Sequence, residues 1–222
     1  MLILFDIDGT LIDTGGAGLA SLNAAIEKIF GPGGPSLNLA GSTDGGIVRG
    51  LFEHFDRPFD SGVEEEFYRA YLPVLEGNLA DSSFGGRLLD GAREWLEECR
   101  RANHTLGLLT GNLARGAALK LKHYRVDGYF GFGAYGDDHW DRNELGPIAL
   151  ARAAAVTGSK FVPEETLVVG DTPKDIACAH AFGARCLAVA SGTFDVESLR
   201  EAGAEEVVSS LTECLGRIHD HV

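Results

Sequence analysis

The sequence contains no long hydrophobic run. Near its N-terminus the longest clean apolar stretch is Leu2-Ile3-Leu4-Phe5. That is far short of the ~18 residues of a membrane span and too short for a signal-peptide core. The expectation is a cytoplasmic protein with no membrane partner. Positive charge is scarce: Lys and Arg number 19 against 33 Asp and Glu, a formal net charge of −14. Nucleic-acid binders need a basic footprint to displace counterions from phosphates. Here the basic residues are scattered, apart from short pairs such as Arg100-Arg101 and Lys120/Lys122. Nucleic acid and anionic lipid surfaces are therefore disfavoured, while a small anionic substrate stays open because one pocket can be locally positive. Cysteine is sparse and unpatterned. Cys99, Cys178, Cys186 and Cys214 form no C-x-x-C pair, and no His pair completes a zinc pattern. They read as reduced, half-buried thiols. His219 and His221 flank Asp220 at the C-terminal end, which reads as a frayed tail rather than a metal site. No repeat recurs at a period of about 20–50 residues.

What is present is globular composition: 222 residues, 45% hydrophobic and 23% charged. That length suggests one domain, or one domain plus a modest insertion, with a core that needs no disulfide or structural metal. The 30 glycines follow no period and punctuate many short elements. Apolar runs predict buried strands at residues 2–5, 106–109, 167–169 and 186–190, with a weaker one at 207–208. Helical patterns lie between them, at residues 91–103, 114–124, 145–156, 174–182 and 196–202. In the first of these Ala92, Trp95, Leu96 and Cys99 fall at i, i+3, i+4 and i+7. Strand alternating with helix from residue 86 to 210 predicts a parallel α/β sheet covered on both faces.

The first strand stands apart from this alternation. Amphipathic stretches follow it at residues 19–29, 47–55 and 65–75, bounded by Thr14-Gly15-Gly16 and by the glycine- and serine-rich residues 81–86. Residues 14–84 thus read as an all-helical cap inserted into an α/β core made of residues 1–13 and 85–222, with hinges at the bounding glycines. The fold class is α/β, a Rossmann-like three-layer parallel sheet with the cap between its first and second motifs. Phe30, Phe52, Phe55, Phe59, Phe67, Tyr68 and Tyr71 read as cap core, a surplus equally compatible with packing inside the cap and against a second subunit.

Three strand ends carry chemistry. Asp6-Ile7-Asp8-Gly9-Thr10-Leu11 follows the first strand. Residues two apart share a face, so Asp6 and Asp8 should converge beyond the strand's carboxyl end, where open parallel sheets bind ligands. A calcium loop is excluded: the glycine comes too early, and Ala17 stands where the closing glutamate belongs. Thr110-Gly111-Asn112 follows a second strand and offers a hydroxyl and backbone N–H groups that could cradle a phosphate oxygen. Gly170-Asp171-Thr172-Pro173-Lys174-Asp175 follows a third and opens a helix, placing Asp175 in its first turn, where a carboxylate suits the dipole.

In chain order and over essentially the whole length, these motifs resemble those of the haloacid-dehalogenase-like hydrolases. The likeness is to the phosphatase branch with a small helical cap, as in phosphoglycolate phosphatases. The resemblance implies Asp6 as nucleophile, Asp8 as general acid/base and Thr110 as holder of the phosphoryl group. It implies Asp171 as completing a Mg²⁺ site with Asp6 and Asp8, and Asp175 as a further or alternate ligand. Backbone at Gly9 and Gly111, with Asn112, would contact the phosphate. One part departs from the family pattern. The third motif usually carries a Lys, but no Lys occurs between Lys122 and Lys160. Arg142, with Pro147 following, is assigned the role over Lys160, since an Arg keeps the charge and binds carboxylate or phosphate through parallel N–H groups. All-oxygen ligands favour Mg²⁺ over Zn²⁺. The expected activity is hydrolysis of a small phosphorylated metabolite, phosphoglycolate-like by resemblance, through an aspartyl-phosphate. Asp8 argues against a dehalogenase. A sugar-phosphate mutase or a non-enzymatic binding protein are the alternatives. Within the cap, Thr43, Asp44, Arg49 and His54 are candidate substrate contacts, each weighed against a plain solvated-helix role.

Overall fold

The structure is a computed structural model that describes residues 1–37 and 39–217. His219, Asp220 and His221 lie outside the described residues. Six parallel strands form the central sheet: β1 (Leu2–Phe5), β4 (Thr105–Leu109), β5 (Gly133–Ala134), β6 (Thr166–Gly170), β7 (Arg185–Val189) and β8 (Glu206–Val208), in the order β5-β4-β1-β6-β7-β8. Two short strands, β2 (Ile12–Asp13) and β3 (Arg87–Leu88), pair antiparallel beside it. Between β2 and β3 the chain forms α1 (Ala17–Ile29), α2 (Asp44–His54) and α3 (Ser61–Ala80). The core helices are α4 (Ala92–Arg101), α5 (Ala114–His123), α6 (Leu145–Thr157), α7 (Pro173–Ala181) and α8 (Val196–Glu201).

Period-two burial builds the three layers. Ile3, Phe5, Leu106, Leu108, Leu167 and Val169 pack with α4 and α5, where Trp95 sits edge-on to Phe5 at 5.5 Å between ring centroids. Leu2, Leu4, Leu109, Val168 and Cys186 pack on the other face with α6 and α7. All four cysteines are unpaired and buried, deeper than the half-buried thiols expected. The inserted helices have a core of their own, in which Phe30, Phe52, Phe67 and Tyr71 are buried. Phe59 departs from that expectation: it is 42% exposed and lies under the Arg49 guanidinium at 4.2 Å. Its helix-flanking position leaves it at the cap edge, where a cation covers one ring face.

The strand order positions the site. β1 pairs with β4 on one side and β6 on the other, so the chain reverses direction across the sheet at β1. The crevice at such a reversal, beyond the strands' carboxyl ends, is where open sheets accommodate ligands. The three motif-bearing strand ends are these three adjacent strands.

Candidate active site

Asp6 follows β1 directly and is buried, with its backbone N–H still bonded to Val169 O at 2.9 Å as an extension of the sheet. Asp171 follows β6 and is buried, its Oδ1 accepting from Thr10 Oγ1 at 3.0 Å. Asp175 sits in the first turn of α7. It forms a capping box with Thr172, whose N–H and Oγ1 donate to Asp175 Oδ2 at 3.0 and 2.7 Å. One carboxylate oxygen from each of Asp6, Asp171 and Asp175 lies within 4.8 Å of the others. Three buried acids this close repel unless a cation joins them. Burial pushes Asp6 up to about 6, with Arg142 pulling it down and Asp175 and Asp8 adding to the rise. Burial, then Asp175 and Asp6, also push Asp171 well above the carboxylate range. Asp171 Oδ2 faces tight glycines: a Cβ at Gly192 would stand 1.8 Å from it and one at Gly9 2.2 Å. The all-oxygen, charge-excess trio fits a hard divalent cation.

Arg142 supplies the cation that the chain itself contributes. It lies buried in the short turn preceding α6. Nη2 ion-pairs with Asp175 and reaches Asp6 Oδ1 at 3.3 Å, while Nη1 donates to Gly41 O at 3.2 Å. Nε is buried without a hydrogen-bond partner. Lys160, the alternative, is exposed beyond the end of α6.

Asp8 is turned away from the trio. Lys120 Nζ donates to its Oδ1 and Oδ2 at 2.8 and 2.6 Å, and Asn112 Nδ2 donates to Oδ2 at 2.8 Å. Thr110 is buried. Its Oγ1 accepts from Asn112 Nδ2 at 2.8 Å, and its side chain helps to lower the Asp6 carboxyl. Gly111 is needed for docking of the cap: a Cβ there would stand 2.0 Å from Ser42 O, and its carbonyl accepts from Asp44 N at 2.7 Å. Gly9 takes φ +81°, and its N–H is committed to Ile12 O at 2.9 Å. What Gly9 offers the site is therefore room rather than a free donor.

Sequence reasoning passed over Lys120 except as half of a basic pair. The buried face of α5 is Gly116, Ala117, Lys120 and Leu121, so Lys120 occupies an apolar stripe. A Lys there needs a buried partner, and that was the readable signal. Of the cap candidates, Asp44 reaches the site, and its Oδ2 accepts from Leu113 N at 2.8 Å. Thr43 caps α2 by accepting from Gly46 N at 2.9 Å. Arg49 stacks on Phe59 and Trp140, and His54 Nε2 meets Gly33 O at 2.9 Å. Neither lines the chamber over Asp6.

Asp44 carries a stability prediction. Burial raises its carboxyl from 3.8 to about 6, against the lowering pull of Lys120 and of the Leu113 N–H. A carboxyl whose pKa is higher folded than unfolded favours the fold at low pH, and that contribution is lost as pH rises from about 4 to about 6. Two units correspond to about 3 kcal/mol. Asn at this position keeps an acceptor for Leu113 N and carries no charge. The stability of Asp44→Asn relative to wild type, from urea unfolding, should therefore grow by about 2–3 kcal/mol between pH 4 and pH 7. A difference independent of pH would show that Asp44 ionises normally.

The family model for the haloacid dehalogenase-like hydrolases matches residues 3–189. A phosphoglycolate phosphatase of Pseudomonas aeruginosa is 27% identical over 225 residues, covering 96% of this chain and 78% of that protein. One from Chromobacterium violaceum is 26% identical over 215 residues, covering 95% and 93%. The crystal structure of a hydrolase from Pseudomonas syringae superposes with a TM-score of 0.74 at 23% identity, covering 99% of this chain and 97% of that one. That last likeness is one of fold.

Proposed function

The chain belongs to the haloacid dehalogenase-like hydrolases, and on that premise we propose that it is a Mg²⁺-dependent phosphatase that hydrolyses a small organic phosphate monoester through a phosphoryl-Asp6 intermediate. The observation that carries this reading is the buried trio Asp6, Asp171 and Asp175. Among the described residues, Arg142 is the one cation in ion-pair contact with it. Such a charge excess is costly in a fold and useful to phosphoryl transfer.

Asp6, Asp171 and Asp175 would hold the ion, whereas Asp8, expected as a ligand from the sequence, lies outside this trio on Lys120 and Asn112. The ion would offset the repulsion between Asp6 and a phosphate dianion, in which each pair of unit charges at ~4 Å repels by about 4 kcal/mol at an effective dielectric near 20. The Asp6 carboxylate attacks phosphorus in line with the leaving oxygen. Arg142, which contacts Asp6 at 3.3 Å, holds the nucleophile and offsets charge on the transferring group. Thr110, Gly111 and Asn112 sit at the adjacent strand end as the phosphoryl cradle. Asp8 in its acid form passes a proton to the leaving alcohol, then as a base takes one from the water that cleaves phosphoryl-Asp6. Lys120 and Asn112 orient Asp8 in its base form, and one of the two Lys120 contacts is given up when Asp8 carries the proton. The helical cap lies over this crevice and would exclude bulk water. The relatives' names suggest a small phosphate ester of the phosphoglycolate kind.

Phosphate release from small esters, with Mg²⁺ or with EDTA, tests the reading. Release should fall on the order of 10²- to 10³-fold on metal removal and return when Mg²⁺ is added back. Release unaffected by chelation would overturn the metal assignment. Interconversion of sugar-phosphate isomers without net phosphate release would establish the mutase instead.

A further inference from the structure

The chamber over Asp6 has a volume of about 610 Å³ and lies between the sheet's carboxyl edge and the cap. Its two ends differ in chemistry. The core end carries Asp6, Asp8, Asp171, Arg142 and Lys120, with Asp44 reaching in from α2. The opposite wall carries Leu19 and Leu22 of α1, Leu37 and Leu39 of the following loop and Ile47 of α2, with Phe194 closing from the segment after β7. Leu19 is 40% exposed and lines the cavity, so part of its apolar surface is left uncovered. An apolar side chain left uncovered on a cavity wall gains by contact with an apolar ligand.

Charge sharpens the contrast. The described lining residues include five carboxylates, Asp6, Asp8, Asp13, Asp44 and Asp171, against two cations. Both cations are engaged at the phosphoryl end. Lys120 directs Nζ to both Asp8 oxygens and to Asn112 Oδ1 at 2.6–2.8 Å, which accounts for its three donors. Arg142 serves Asp6 and Asp175. Among the described residues no Arg, Lys or His from the cap lines the chamber: Arg49 is stacked on Phe59, and His54 is bonded to Gly33. A carboxylate on the leaving group would meet the leucines, with Asp13 and Asp44 as the remaining lining charges and neither lining cation unengaged, an unpaired charge in a desolvating site.

Resting on the phosphatase reading and deepening it, we propose that the leaving group is an uncharged alcohol with an apolar chain. A glycolate-like anion is selected against. The substrate class is an alkyl or similarly apolar phosphate monoester, its phosphoryl group at Asp6 and Arg142 and its chain against Leu19, Leu22 and Ile47.

The test compares kcat/KM, with Mg²⁺, for 2-phosphoglycolate, ethyl phosphate and n-butyl phosphate. Ethyl phosphate is phosphoglycolate with a methyl in place of the carboxylate, so the pair isolates charge. Butyl against ethyl isolates apolar contact. Ethyl phosphate should exceed phosphoglycolate by at least about tenfold, and butyl should exceed ethyl by on the order of tenfold for two buried methylenes. Leu19→Arg, at an exposed helix position, places a guanidinium in the wall. It should shift the phosphoglycolate-to-ethyl ratio toward phosphoglycolate by at least about tenfold. Phosphoglycolate as good as or better than ethyl phosphate, or butyl no better than ethyl, with Mg²⁺-dependent turnover intact, overturns the substrate class and leaves the phosphatase reading standing. No release from any of the three overturns the phosphatase reading, and the substrate class with it.

Discussion

Asp6→Asn is expected to lower phosphate release by on the order of 10⁴-fold or more, the scale seen when a covalent nucleophile is removed, without unfolding the protein. Asn has nearly the same shape but no carboxylate oxygen to attack phosphorus and form the acyl phosphate. The stability side follows from the site's electrostatics. Asp6 is buried, and burial pushes its carboxyl up to about 6. Asp175 lies in the same cluster, with Asp171 completing the buried trio. Removing a carboxylate whose charge burial and the neighbouring acids disfavour relieves that cost, so in EDTA at pH 7–8 the variant should be at least as stable as wild type in urea unfolding. With Mg²⁺ the order should narrow or invert. Wild type gains binding free energy that unfolded chains do not share, while the variant has lost a charged ligand. Activity above a hundredth of wild type would remove Asp6 as the nucleophile. A variant that unfolds in EDTA would show that its charge supports the fold, contrary to the burial argument.

How much of this was readable beforehand depends on the length scale of each signal. β1 is predicted at residues 2–5 and found at Leu2–Phe5. The strands ending in Thr110 and Asp171 are found within a residue of their predicted limits. A buried parallel strand is an uninterrupted apolar run, and such runs are visible in one sequence. β2, β3 and β5 have two residues each, too few for any periodicity, and they were not anticipated. The three inserted helices were legible from their apolar faces, though α2 begins three residues earlier than its pattern because Thr43 caps it. The motif residues were legible because each sits directly after a strand. Contacts made across the cleft were not. Asp44 bonding to Leu113, Lys174 Nζ to Ser42 Oγ at 2.8 Å and Arg142 to Gly41 join residues far apart in the chain. They depend on how the cap sits, which no local pattern encodes.

Arg142→Met should be the most damaging substitution for the fold, and the reason is again the acidic trio. The wild-type guanidinium is buried against Asp6 and Asp175. Burial works against its charge, but the two acids outweigh that and hold it protonated beyond the usual arginine value. Met fills similar volume and removes the charge, leaving buried carboxylates without a protein cation. Breaking a buried pair in this way costs about 3–5 kcal/mol, and activity should fall on the order of 10²- to 10³-fold as the phosphoryl group loses its guanidinium. Two further comparisons separate charge from packing. Arg142→Lys keeps the charge, but its single nitrogen cannot reach Asp6, Asp175 and Gly41 O together. It should recover more stability than activity. Mg²⁺ should restore part of the Met variant's stability, because a divalent ion among Asp6, Asp171 and Asp175 replaces the missing charge. Restoration by Mg²⁺ larger for Arg142→Met than for wild type is the expected outcome of urea titrations with and without the ion. Equal gains in the two proteins would mean that the guanidinium and the metal act on separate charges, and that Arg142 serves the cap loop at Gly41 rather than the nucleophile.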